Sequence, residues 1–107
     1  MNTIIAQNDY GFALKFYLQN YDGTAFDLTD ATDIILYSHL RDSSENKITA
    51  DLDVIGDPAD GIVNLTVQEK HFDQDGDYLG EIEVDFQDRR ETFTGIVIHV
   101  VKNVPRD

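Results

Sequence analysis

From Phe12 to Gln19 the chain reads FALKFYLQ, with Phe12, Leu14, Phe16 and Leu18 at one parity and Ala13, Lys15, Tyr17 and Gln19 at the other. Alternation with period two puts successive side chains on opposite faces of a strand, so this run predicts a half-buried β-strand. The period returns in GIVNLTVQ, where Val63, Leu65 and Val67 share a face. It is clearest in DYLGEIEVDF, where Tyr78, Gly80, Ile82, Val84 and Phe86 oppose Glu81, Glu83 and Asp85. TDIILYSHLR departs from it: Ile34, Leu36 and Leu40 share one parity, yet Ile35 and Tyr37 make the other apolar too. That pattern predicts a strand covered on both sides. In ETFTGIVIHVVK, Phe93 and the set Ile96, Ile98 and Val100 fall on opposite parities, so a β-bulge at Gly95 is expected to bring both to the core.

Between these runs lie turn signals. GDPADG is the strongest, with Pro58 setting φ and two glycines admitting left-handed backbone. NYDGTAFDLTDAT reads as a connection held to the core by Phe26 and Leu28, RDSSENK as a polar turn, QDRRE as a hairpin turn, and EKHFDQ as at most one helical turn. ITADLDVI is a weaker strand whose acids suit an edge. Ile48, Leu52 and Val54 are therefore the expected docking positions, since an unpaired edge accepts a partner strand. At least six strand-like runs without a convincing helix predict one all-β domain over residues 1–107, an antiparallel β-sandwich of about seven strands with Greek-key connections.

Charge narrows the function classes. With 21 Asp and Glu against 8 Lys and Arg, the formal net charge is -13, which opposes a phosphate backbone and an anionic membrane surface alike. No nucleic-acid or membrane partner is expected. No apolar run approaches a spanning length, and MNTIIAQNDY lacks the basic and apolar regions of an export signal. Without cysteine there is no disulfide, thiolate metal site or cysteine nucleophile.

The acids of HFDQDGDYLG invite a calcium reading. With Gly76 at the glycine of an EF-hand loop, Asp73, Asp75 and Asp77 fall on ligand positions, but His71 takes the first position and Ile82 that of the bidentate acid. An EF-hand is excluded; a weak, incidental calcium contact stays open. Glu81, Glu83 and Asp85 sit on the polar face of a strand, where solvated charge is the default rather than the desolvation that acid–base catalysis needs. His39, His71 and His99 have no metal-ligand spacing, and no serine has a nucleophile-elbow context. Asn64-Leu65-Thr66 matches a glycosylation sequon, a chance match in a chain without an export signal, and Arg89-Arg90 reads as a solvated turn. No catalytic residue, metal or cofactor is expected.

The order of motifs resembles the immunoglobulin-like N-terminal domain of phage baseplate upper proteins. NDYGFALKFYLQNYDGTAFDLTDATDIILYSHLRD, GIVNLTVQEKHFDQDGDYLGEIEVDF and ETFTGIVIHV carry the resemblance over nearly the whole chain. Its most specific parts are D-G-T-x-x-D-L-T-x-A-T from Asp22 to Thr32 and G-x-Y-x-G-E-x-E-V from Gly76 to Val84. The chain departs from the usual pattern after Arg41, where DSSENKIT replaces a more compact turn. The resemblance implies an immunoglobulin-like sandwich with structural roles for Leu28, Tyr78 and Gly80. It also implies a non-enzymatic virion protein, made in the bacterial cytoplasm, that docks other baseplate or tail proteins or further copies of itself. Tyr78, just after the DG turn and two residues before Gly80, is similar to a tyrosine corner. The alternative is a bacterial surface or carbohydrate-binding sandwich, with Tyr17, Tyr21 and Tyr37 stacking on sugar rings.

Overall fold

The computed structural model describes residues 2–43 and 47–102. Eight strands, β1 (Asn2–Ala6), β2 (Ala13–Tyr17), β3 (Asp33–Leu40), β4 (Lys47–Asp51), β5 (Asp53–Val54), β6 (Ile62–Thr66), β7 (Gly76–Asp85) and β8 (Arg90–Val101), form an all-β sandwich. One sheet has the order β1-β8-β7-β3-β4 and the other β2-β6-β5, so the chain changes sheet after β1, β2, β4 and β6. This is the order of an immunoglobulin-like sandwich, with β8, β7 and β3 at the centre of one layer and β2, β6 and β5 as the other.

The core follows from the alternation. Leu14, Phe16, Val63, Leu65 and Val67 from the small-sheet side are buried, as are Ile34, Leu36, Tyr78, Ile82, Val84, Ile98 and Val100 from the large sheet. Each is the inward member of a period-two pair, and covering them removes apolar surface from water, the main favourable term in folding. β8 carries one extra residue where its pairing with β7 shifts, between Ile82↔Phe93 and Gly80↔Ile96, with Gly95 there at φ +77°. Phe93 and Ile96 both contact the core across this bulge.

Three expectations need correction. The sandwich is not wholly antiparallel, because β1 lies parallel to β8, from Asn2↔Val97 to Ala6↔Val101. ITADLDVI is two strands: β4 pairs with β3, Leu52 donates its N–H to the Ile34 carbonyl at 2.9 Å, and β5 joins β6 in the other sheet. The break at Leu52 raises the strand count among the described residues to eight. β3 is not covered on both sides, since Tyr37 keeps 39% exposure on the outer face. EKHFDQ forms no helix; Lys70 adopts φ +75° and the Gln68 carbonyl accepts the His71 N–H in a tight turn. The polar connection expected after Arg41 includes residues 44–46, which lie outside the described residues.

Two loops meet at one end of the sandwich. At GDPADG, Asp57 caps a single 3-10 turn, Pro58–Asp60, by accepting the Ala59 N–H at 3.0 Å, and Gly61 follows at φ +67°. The motif D-G-T-x-x-D-L-T is two Asx turns in succession: Asp22 accepts from Thr24 N–H and Oγ1, and Asp27 accepts from Thr29 N–H. In both, the threonine hydroxyl first and its N–H second hold the aspartate below the usual carboxylate range. These turns aim Phe26 and Leu28 inward. Phe26 meets Phe93 edge to face at 4.9 Å, and Leu28 donates its N–H to the Pro58 carbonyl at 2.9 Å.

Candidate docking surfaces

The outer face of the large sheet is ordered by its register. Ile4, His99 and Asp77 lie side by side, as do Asn2, Val97, Leu79, His39 and Lys47. Ile4 is 70% exposed and Val101 48%, and Val97 and Leu79 are half-buried in the row beyond His99, so apolar side chains of β1, β8 and β7 lie open to solvent around the His99–Asp77 pair. In that pair Asp77 Oδ1 accepts from His99 Nδ1 at 2.6 Å, and Arg41 Nη2 stands 3.7 Å from the other oxygen of Asp77.

Towards the other end the same face turns acidic. Glu81 sits opposite Tyr37, Glu83 opposite Ile35, Ile35 opposite Asp51, and Asp33 directly opposite Asp85. Like charges in facing positions oppose strand pairing. Arg90 Nε relieves part of this, 2.6 Å from Asp85 and 3.0 Å from Glu83. The Asp85 hydrogen bond, then the charges of Asp85 and Glu83, hold its guanidinium above the ordinary range. Neighbouring Arg89 lies with its guanidinium 4.0 Å from the Phe86 ring centroid.

The structure places the sequence-predicted docking positions differently. β4 and β5 do end their sheets, but Ile48 and Leu52 are buried in the core and only Val54, at 38%, is exposed. Alternation along β4 turns Lys47, Thr49 and Asp51 outward instead, so a partner at this edge would meet backbone and those three residues. Of the tyrosines considered for sugar stacking, Tyr17 and Tyr21 line one groove while Tyr37 lies on the outer face of the other sheet. They are not one platform.

The residues singled out as structural lie in or beside the core. Tyr78 is fully buried, donates its hydroxyl to the Gln74 carbonyl at 3.2 Å, and meets Phe72 edge to face at 5.2 Å. Burial raises its phenol above the usual value. An added Cβ at Gly80 would stand 3.4 Å from Leu36 Cδ1 and 3.5 Å from Ile96 Cβ, so this buried position admits only the smallest side chains. Leu28 is buried.

The acids of HFDQDGD are not drawn together: Asp73 and Asp75 are exposed, and Asp77 is engaged by His99 and Arg41. Among the described residues no three His, Asp or Glu side chains are grouped to hold a metal ion. Sequence reasoning gave Ile4, Val97 and Val101 no role; the place of β1 beside β8 brings them onto one outer face. No protein-family model matches the chain, and no curated protein is similar to it.

Proposed function

We propose that the chain is a non-enzymatic structural protein of a phage or prophage virion, a baseplate or tail module that docks protein partners. Its docking surface is the outer face of the large sheet. The observation that carries this reading is the set of solvent-facing apolar residues Ile4, Val97, Leu79 and Val101 around His99 and Asp77, next to the acidic rows of Glu81, Glu83, Asp85 and Asp33. Apolar side chains left in water, and the facing carboxylates of Asp33 and Asp85 that Arg90 relieves only in part, work against the stability of the chain, and such local conflicts gather at functional surfaces. The motif order from Asp22 to Thr32 and from Gly76 to Val84 supports the phage setting by resemblance. The surface suits a partner that presents basic residues around an apolar centre, because facing charges of opposite sign both attract and orient.

Affinity capture from a lysate producing the phage, followed by mass spectrometry, tests this. Wild-type protein is expected to retain baseplate or tail proteins, and Ile4→Asp with Val101→Asp to lose them without change in melting temperature. Light scattering that finds only monomer, together with capture of no virion protein, would sink the proposal.

A further inference from the structure

Two open strand edges flank one groove. β1 covers β8 only from Val97 to Val101, so from Arg90 to Thr92 the side of β8 away from β7 has no strand partner among the described residues. β2 likewise ends the small sheet. The groove between them is lined by Tyr17 and Gln19 on one side and Thr92 on the other, with Phe26, Phe93 and Ile96 among its apolar residues.

The backbone directions follow from the ladder. Asp77 and Asp85 of β7 give their carbonyls to Arg41 and Thr32 on the β3 side, so the alternate residues Ile82 and Val84 turn to β8 and engage Phe93 and Glu91. The N–H and C=O of Arg90 and Thr92 therefore point away from β7. On the other wall, Leu18 donates to the Gly61 carbonyl and accepts from Phe26 N–H, which directs the backbone groups of Tyr17 and Gln19 to the opposite, open side.

We propose that this groove accepts an extended segment of a partner polypeptide, added as a strand at Arg90 and Thr92 in line with β1. Only an extended chain matches a row of free backbone donors and acceptors at strand spacing. Alternate side chains of such a strand point between the sheets, onto Phe26 and Phe93, and so are apolar. Those facing outward meet the field of a chain with 21 acids and 8 bases, and so are lysine or arginine. This site is separate from the outer face of the large sheet and holds whether or not the protein belongs to a virion.

Amide NMR of the intact chain, titrated with a synthetic peptide of alternating valine and lysine, reads the site directly. The expected result is a shift and slowed exchange at the Thr92 and Gln19 amides, with binding about tenfold weaker when alternate peptide nitrogens are methylated, because backbone hydrogen bonds are lost while charge and side chains stay. Unchanged Arg90 and Thr92 amides at millimolar peptide would overturn the proposal. So would equal binding of the methylated peptide, or glycan binding abolished by Tyr17→Ala in a chain that ignores the peptide.

Discussion

β3, β7 and β8 turn Asp33, Asp85, Glu83, Glu81 and Asp77 outward around Ile35, Tyr37, Leu79 and Val97, whereas β2 and β6 turn out Ala13, Lys15, Tyr17, Ile62, Asn64 and Thr66. Inward, the two sheets are alike: both present buried aliphatic and aromatic side chains. The inner faces match because each is the other's only covering, and close packing leaves little freedom there. The outer faces answer to solvent alone unless something binds. One of them gathers carboxylates, even directly across a ladder at Asp33↔Asp85, where like charges cost the pairing stability.

The sharpest test of the shared interior lies in the turn between β5 and β6. Gly56 and Gly61 have φ of +68° and +67°, but a Cβ at Gly61 would stand 2.6 Å from the Leu18 oxygen and 2.7 Å from that of Phe26, while Gly56 has nothing within 4 Å. Gly61→Ala is expected to cost about 4 kcal/mol in urea unfolding, or to prevent folding, against about 1 kcal/mol for Gly56→Ala, where only backbone strain acts. Equal losses would show that the close approach is not what holds the small sheet in place.

If the inner faces are equivalent, Val63→Ala in the small sheet and Ile82→Ala in the large one should each cost about 2 to 4 kcal/mol, since both side chains are fully buried. A much smaller loss for Val63 would break the equivalence. Tyr78→Phe keeps the ring against Phe72 and removes one hydrogen bond, for an expected loss of about 1 kcal/mol, checked by the same denaturation curve.

On the outer face the sign reverses. Asp33→Asn removes one of two facing carboxylates and is expected to stabilise the chain by about 0.5 kcal/mol at low salt. The gain should shrink as sodium chloride screens the pair; a loss of stability would refute the reading of this face.

The smallest effect belongs to His71, whose Nδ1 accepts the Gln68 N–H at 3.0 Å. Burial lowers its pKa from the ordinary 6.5. Its stabilising contribution is therefore present above that value and falls away as pH drops through the folded-state pKa. An imidazole titration by NMR with a midpoint at or above 6.5 would contradict the assignment.

Much of the sandwich is legible residue by residue. The alternation in FALKFYLQ, GIVNLTVQ and DYLGEIEVDF assigns the inward side chains of β2, β6 and β7, and the phase change at Gly95 coincides with the extra residue in β8. Less legible are the elements whose neighbours come from far along the chain. ITADLDVI keeps one alternating pattern although it crosses between sheets at Leu52, because inward residues of either sheet look the same in sequence. The proposed docking surface was less legible for a related reason: Ile4 is as apolar as Ile5, and parity alone does not say which of the two is covered in so short a strand.

What the sequence determined by itself is therefore local: which residues alternate, where glycine, proline and Asx turns reverse the chain, and that Tyr78 opens a strand beside a corner. Those properties depend on covalent geometry and on neighbours a few residues away. Tertiary structure alone decided that β1 runs parallel to β8 from Asn2↔Val97 to Ala6↔Val101, that β3 keeps an open face, and that two edges without a strand partner among the described residues meet across a groove. Those arrangements depend on which strands share a ladder, a choice made among long-range pairings that a period of two leaves equally available.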